Sequence, residues 1–136
     1  MLERARLAYP QRKFLQGDAT RLPLPDATID IVVDGAALIH IGDTSGALGE
    51  YSRVARQAVI LHSVTCTDDD LEVLPFEKRA YGERVLEYAF GRRYLENVVH
   101  QCGLVVERVL PGLDYDLLNE IGLPTVSETW VLTSCR

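Results

Sequence analysis

Residues 29–34 read IDIVVD and residues 58–64 read AVILHSV. Each run is short and rich in β-branched residues, with apolar side chains at both odd and even positions. That is the pattern of a strand buried on both faces. Between them Ala47, Leu48, Tyr51, Val54 and Ala55 recur at helical spacing behind Thr44 or Ser45, either of which is an N-cap residue, so a helix runs to about Arg56. Strand, helix and strand in this order predict a parallel pair joined by a crossover, the unit of an α/β fold.

On the amino-terminal side, Leu2, Ala5, Ala8 and Tyr9 share one helical face and Pro10 ends that helix. Lys13–Gln16 reads as a short strand, Gly17-Asp18-Ala19 as a turn, and Thr20–Thr28, with Pro23 and Pro25, as a loop. Gly35–Ile41 is a loop or a short helical turn. On the carboxyl-terminal side, Thr67–Leu71 carries three consecutive aspartates and is expected to be solvated. Phe76–Phe90 is expected to be helical, with Phe76, Ala80, Leu86 and Phe90 as its apolar contacts. Arg92–Cys102 is a further helix, closed by Gly103 at a C′ position. Leu104–Leu110 is a strand, Pro111–Val126 an irregular loop, and Glu128–Ser134 the last strand. The whole is one domain, residues 1–136, with a mostly parallel sheet.

The 136 residues carry a net charge of −6, with 47% hydrophobic and 25% charged residues. This is an ordinary globular composition, and its acidity disfavours a nucleic-acid backbone or an anionic membrane as partner. No apolar run approaches the ~18 residues of a membrane span, and the start does not have the pattern of a signal peptide. Cys66, Cys102 and Cys135 are odd in number and lack CxxC spacing, which reads as a reduced, cytoplasmic protein with no metal site.

Several stretches together resemble the class I S-adenosylmethionine-dependent methyltransferases of small molecules. FLQGDATRLPLPDATIDIVV (14–33) looks like the family's third strand, acidic turn, LPxPD loop and fourth strand. GAALIHI (35–41), ALGEYSRVAR (47–56) and AVILHSV (58–64) look like the segment, helix and strand that follow, and RRYLENVVHQCGLVVERV (92–109) like the last helix–strand unit. The resemblance implies a partial Rossmann-like sheet of order 3-2-1-4-5-7-6 with strand seven antiparallel. Residues 1–9 correspond to the helix after strand two, so the first βαβ unit is missing from the stretch. With it goes the glycine-rich GxGxG turn, and no GxG occurs among these residues.

The resemblance also implies site residues. Asp18 would accept a hydrogen bond from the adenine amino group of S-adenosylmethionine, and Ala19 would offer a backbone N–H. Asp34 and Gly35, at the carboxyl end of strand four, would lie beneath the cofactor. Each also has a plainer reading: Gly17-Asp18 is a common turn pair, and Asp34 can cap the turn that follows it. His40 is the candidate catalytic base; its apolar flanks Leu38, Ile39 and Ile41 also suit a hydrogen-bonded, half-buried histidine. Tyr81, Tyr88 and Tyr94 either line a substrate cavity or pack.

Strand four normally lies between strands one and five, so without strand one an apolar edge is left unpaired. Two copies packing their amino-terminal segments and 29–34 strands on each other would cover it, which predicts a homodimer. The expected function is a methyltransferase-like binding or scaffold module with weak or no cofactor affinity. The alternative is an active small-molecule methyltransferase whose site is completed by a second chain or by residues outside this stretch.

Overall fold

The structure, a computed structural model, describes residues 2–80, 82–113 and 116–135. Its elements are α1 (Leu2–Ala8), β1 (Ile29–Gly35), a 3₁₀ turn (Leu38–His40), α2 (Thr44–Val54), β2 (Ala55–Thr67), β3 (Val73–Ala80), β4 (Glu83–Gly91), α3 (Arg92–Gln101), β5 (Leu104–Pro111), α4 (Leu118–Ile121) and β6 (Val126–Ser134).

β2 is the axis of the sheet. Its amino-terminal part takes β1 in parallel register, from Ile29 opposite Ala55 to Gly35 opposite His62. On the same edge, its last residues Cys66 and Thr67 take Phe90 and Gly91 of β4. On the other edge β6 runs antiparallel, and β5 lies antiparallel beyond it. The order β1-β2-β6-β5 is the 4-5-7-6 half of the implied sheet, with the last strand inserted antiparallel as expected. Adjacent pairings are nonetheless mainly antiparallel, because β3 and β4 form a further antiparallel hairpin. The expectation of a mostly parallel sheet is corrected by that hairpin.

α2 follows the reading closely, but its N-cap is Asp43, whose Oδ1 accepts from Gly46 N at 2.9 Å. The helix passes directly into β2 at Ala55. Ala47, Leu48, Tyr51, Leu95, Val98 and Val99 from α2 and α3 close over Val59, Leu61, Val64, Phe90, Trp130 and Leu132 of the sheet. At the start of α3, Arg92 donates to Asp68 (2.8 Å) and Glu128 (2.6 Å), and Trp130 Nε1 donates to the same Glu128 oxygen at 2.9 Å. The aspartate run therefore contributes one pinned carboxylate, Asp68.

Three expectations are corrected. Lys13–Gln16 forms no strand among the described residues; the only bridge nearby joins Asp18 to Arg21 and closes a turn. Phe76–Phe90 is not a helix but the β3–β4 hairpin, with Gly82 (φ +82°) near its tip and Ala80 paired with Glu83. β1 is not buried on both faces: Ile31 and Val33 are 48% and 63% exposed, on the face away from α2 and α3. Its other long edge has no strand partner among the described residues.

The proline-bearing loop is bound to α2 by one side chain. Arg53 donates to Leu24 O and Asp26 Oδ1 at 2.7 Å, to Leu22 O at 3.2 Å, and to both Glu50 oxygens at 2.7 Å. Glu50 in turn accepts from Leu22 N at 2.7 Å. Arg53 holds the Glu50 carboxyl below its ordinary range, with the Leu22 N–H adding to the effect while desolvation opposes it. A carboxylate with a lowered folded pKa stabilises the fold above its unfolded value and loses that contribution as pH falls through the folded one. Arg53→Ala is expected to flatten this acid dependence and to speed amide exchange at Leu22 and Ala27 roughly tenfold, as in a locally opened segment. Hydrogen exchange at two pH values checks it.

Candidate functional site

Two pockets flank the turn that leaves β1. The first, of about 370 Å³, lies between the 15–24 segment and β1 and is walled by Leu15, Ala19, Leu22, Val32, Asp34 and Gly35 among others. The second, of about 260 Å³, lies beneath the β3–β4 hairpin and includes Ala36, His40, Lys78, Glu87 and Ser127. Gly35 and Ala37 face one and Ala36 the other. The carboxyl ends of strands in open α/β sheets are where such clefts form.

Asp34 builds the turn between them. It is 4% exposed, and both its oxygens are engaged. Oδ1 accepts from Ala37 N (2.7 Å) and Leu38 N (3.2 Å), and Oδ2 from Tyr51 Oη (2.6 Å). The Tyr51 hydroxyl is held protonated: burial pushes its pKa up, and the Asp34 carboxylate adds to the effect. Of the two readings for Asp34, the geometry supports the cap, although the residue also walls the first pocket.

Asp18 is solvent-exposed and shapes its own turn. Its Oδ1 accepts from Thr20 N (2.9 Å) and Thr20 Oγ1 (2.8 Å), and these bonds hold the carboxyl below its usual range. Oδ2 has no partner among the described residues. Ala19 and Gly35 line the first pocket, so Ala19, Asp34 and Gly35 are brought together there, with Asp18 on the adjoining turn.

His40 is not with them. It lines the second pocket, where its Nδ1 donates to the Leu86 carbonyl at 3.2 Å, and it is exposed rather than half-buried. A carbonyl only accepts, so Nδ1 carries a proton and Nε2 is the remaining ring nitrogen. Tyr88 and Tyr94 pack against the core cluster, and Tyr81 lies outside the described residues. His62 bonds Thr129 Oγ1 at 3.0 Å from within β2.

Glu87 and Lys78 were not among the residues expected here from the sequence. Glu87 is 3% exposed, and its Oε1 meets Lys78 Nζ at 2.9 Å across the hairpin. Two strained positions in the wall of this pocket were also not expected, Ala36 (φ +65°) and Ser63 (φ +59°), the latter where the β2–β6 register shifts. Non-glycine residues in this region are costly, and such strain gathers at ligand sites. The motif that could have found the hairpin is the Gly82 turn between two charged, alternating runs.

Residues 1–63 match the family model described as a methyltransferase domain. The chain is similar to a malonyl-[acyl-carrier protein] O-methyltransferase of Yersinia pestis, 34% identical over 74 residues, which are 54% of this chain and 28% of that one. It is 26% identical over 115 residues to the ubiquinone/menaquinone biosynthesis C-methyltransferase of Campylobacter jejuni, covering 85% of this chain and 44% of that one. The chain thus spans less than half the length of either curated relative. Among solved structures, an S-adenosylmethionine-dependent methyltransferase from Mesorhizobium loti superposes with a TM-score of 0.64 at 15% identity, over 98% of this chain and 75% of that one.

Proposed function

Because this chain is a methyltransferase-like protein related to the class I S-adenosylmethionine-dependent methyltransferases, we propose that its 136 residues are the later part of such a domain, one that binds a small molecule and holds the cofactor weakly. The supporting observation is the lining of the first pocket. An apolar wall of Leu15, Ala19, Leu22 and Val32 beside the Asp18 carboxylate fits a purine ring carrying an amino group. Among the described residues, the wall of this pocket holds no group that fits the rest of S-adenosylmethionine. The Asp34 carboxylate is spent on Ala37, Leu38 and Tyr51, leaving no second acidic group in the wall for a ribose. No GxG turn is present to let backbone approach the amino-acid end. Calorimetric titration with S-adenosylmethionine is expected to show no binding tighter than millimolar. Micromolar affinity would overturn the reading.

The same reading includes a second copy of the chain. The unpaired edge of β1, the exposed Ile31 and Val33 on its outer face and the exposed Leu15 beside it support a homodimer through the amino-terminal segment and β1. Sedimentation velocity at micromolar concentration is expected to give a dimer, and Val33→Asp a monomer. A wild-type monomer under those conditions would contradict it.

A second reading is favoured by the polar cavity at His40: an active cytoplasmic methyltransferase of a small acceptor, its cofactor site completed by a second chain or by residues outside this stretch. In that case His40→Ala would lower turnover of the completed enzyme.

A further inference from the structure

The cavity beneath the β3–β4 hairpin contains more polar capacity than the fold uses. Glu87 Oε2 and Ser127 Oγ are both buried without a hydrogen-bond partner among the described residues. Ser127 is 5% exposed and Glu87 3%. Orphaned buried polar atoms are rare in native proteins and call for a partner. Here two of them line one cavity, whose wall also holds the strained residues Ala36 and Ser63.

The chemistry of the partner follows from the donors and acceptors. A carboxylate oxygen only accepts, so the ligand must donate to Glu87 Oε2. The hydroxyl of Ser127 then accepts from the ligand or donates to it. The Lys78–Glu87 pair cancels its own charge, so the site offers no excess cation for an anionic ligand, which would instead lie against the carboxylate. Ile39, Ala80 and Leu113 supply apolar wall. At about 260 Å³ the cavity falls just below the ~300–1,000 Å³ of drug-sized sites, which suits a molecule no larger than a single substituted ring.

We propose that this cavity binds a small, uncharged hydroxylated molecule, a phenol or an alcohol, whose hydroxyl donates to Glu87 Oε2 beside Ser127 while its apolar body packs on Ile39 and Leu113. The proposal rests on the reading of the chain as a small-molecule binding module and names the class of molecule. Binding of this kind needs no cofactor, so its test is made without one.

The test is an NMR titration of the intact chain with phenol, with anisole as the counterpart that has no hydroxyl donor and benzoate as the anion. Phenol is expected to shift the amide signals of β3, β4 and Ser127 at millimolar concentration. Anisole is expected to bind about tenfold more weakly, the worth of one hydrogen bond to a carboxylate, and benzoate not to bind. Glu87→Gln tests the acceptor directly but breaks the ion pair with Lys78 and is expected to lower stability. Ser127→Ala is therefore the second variant: it should keep wild-type thermal stability and lower phenol affinity a fewfold. Equal binding of phenol and anisole, no shift with phenol at millimolar concentration, or a Ser127→Ala protein that loses stability and keeps its phenol affinity would each overturn the proposal. Failure here with weak S-adenosylmethionine binding intact would remove this inference alone.

Discussion

Replacing Asp34 by alanine is expected to lower the unfolding free energy by about 3 kcal/mol, since it removes the acceptor of three donors, two of them in buried bonds. Those donors are the Ala37 and Leu38 amides and the Tyr51 hydroxyl, and Asp34 itself is buried. The loss should be local as well as global. The 3₁₀ turn Leu38–His40 would lose the bonds that start it, so amide exchange at Ala37 and Leu38 should rise more than in the β2–β6 core. Tyr51→Phe separates the contributions: it deletes one donor and keeps both amide bonds, and is expected to cost about 1 kcal/mol. Urea unfolding of the two variants checks the ordering. An Asp34→Ala protein within ~0.5 kcal/mol of wild type, the range of an ordinary surface substitution, would show that the turn stands without its carboxylate.

Gly91→Ala is expected to be at least as damaging. Gly91 joins β4 to α3, and its φ of −62° suits any residue, so the constraint is space and not conformation. A Cβ there would lie 1.8 Å from the carbonyl oxygen of Leu71, which is backbone and has no rotamer to yield. The same junction donates Gly91 N to Glu72 O at 2.9 Å and aligns Gly91 with Thr67 of β2. Relieving the overlap means moving the 69–72 segment off the sheet end, at about 3 kcal/mol and roughly a 10 °C fall in Tm. Thermal unfolding followed by circular dichroism measures it. An unchanged Tm would mean that the hairpin is not seated on β2 in this way.

The order of the central strands was legible because β1 and β2 are dense in β-branched residues and flank a helix with one apolar stripe. The hairpin was not, and the reason lies in particular side chains. Lys78 and Glu87 occupy positions turned inward, where an alternating strand would carry apolar residues. Their mutual bond hides the period of two, and Phe76, Ala80, Leu86 and Phe90 then fall by accident near helical spacing. The exposure of Ile31 and Val33 was equally hidden, since an apolar residue does not say whether anything covers it. Of the candidate site residues, Ala19, Asp34 and Gly35 do meet in one pocket, and Asp18 sits on its adjoining turn. His40 belongs to the other pocket, because the 3₁₀ turn carries it past Ala36 towards Leu86. Glu87 and Ser127 carried no sequence signal, as their role depends on what packs around them and not on neighbours in the chain.

In the proposed function this stretch serves the purine end of a nucleoside cofactor and no more of it. Parallel NMR titrations with adenosine and with S-adenosylmethionine test that directly. Both are expected to shift the amides of residues 17–22 and 34–37 with similar, weak affinities. A preference of about 100-fold for S-adenosylmethionine, ~2.7 kcal/mol of contact with its sulfonium and amino-acid end, would contradict it.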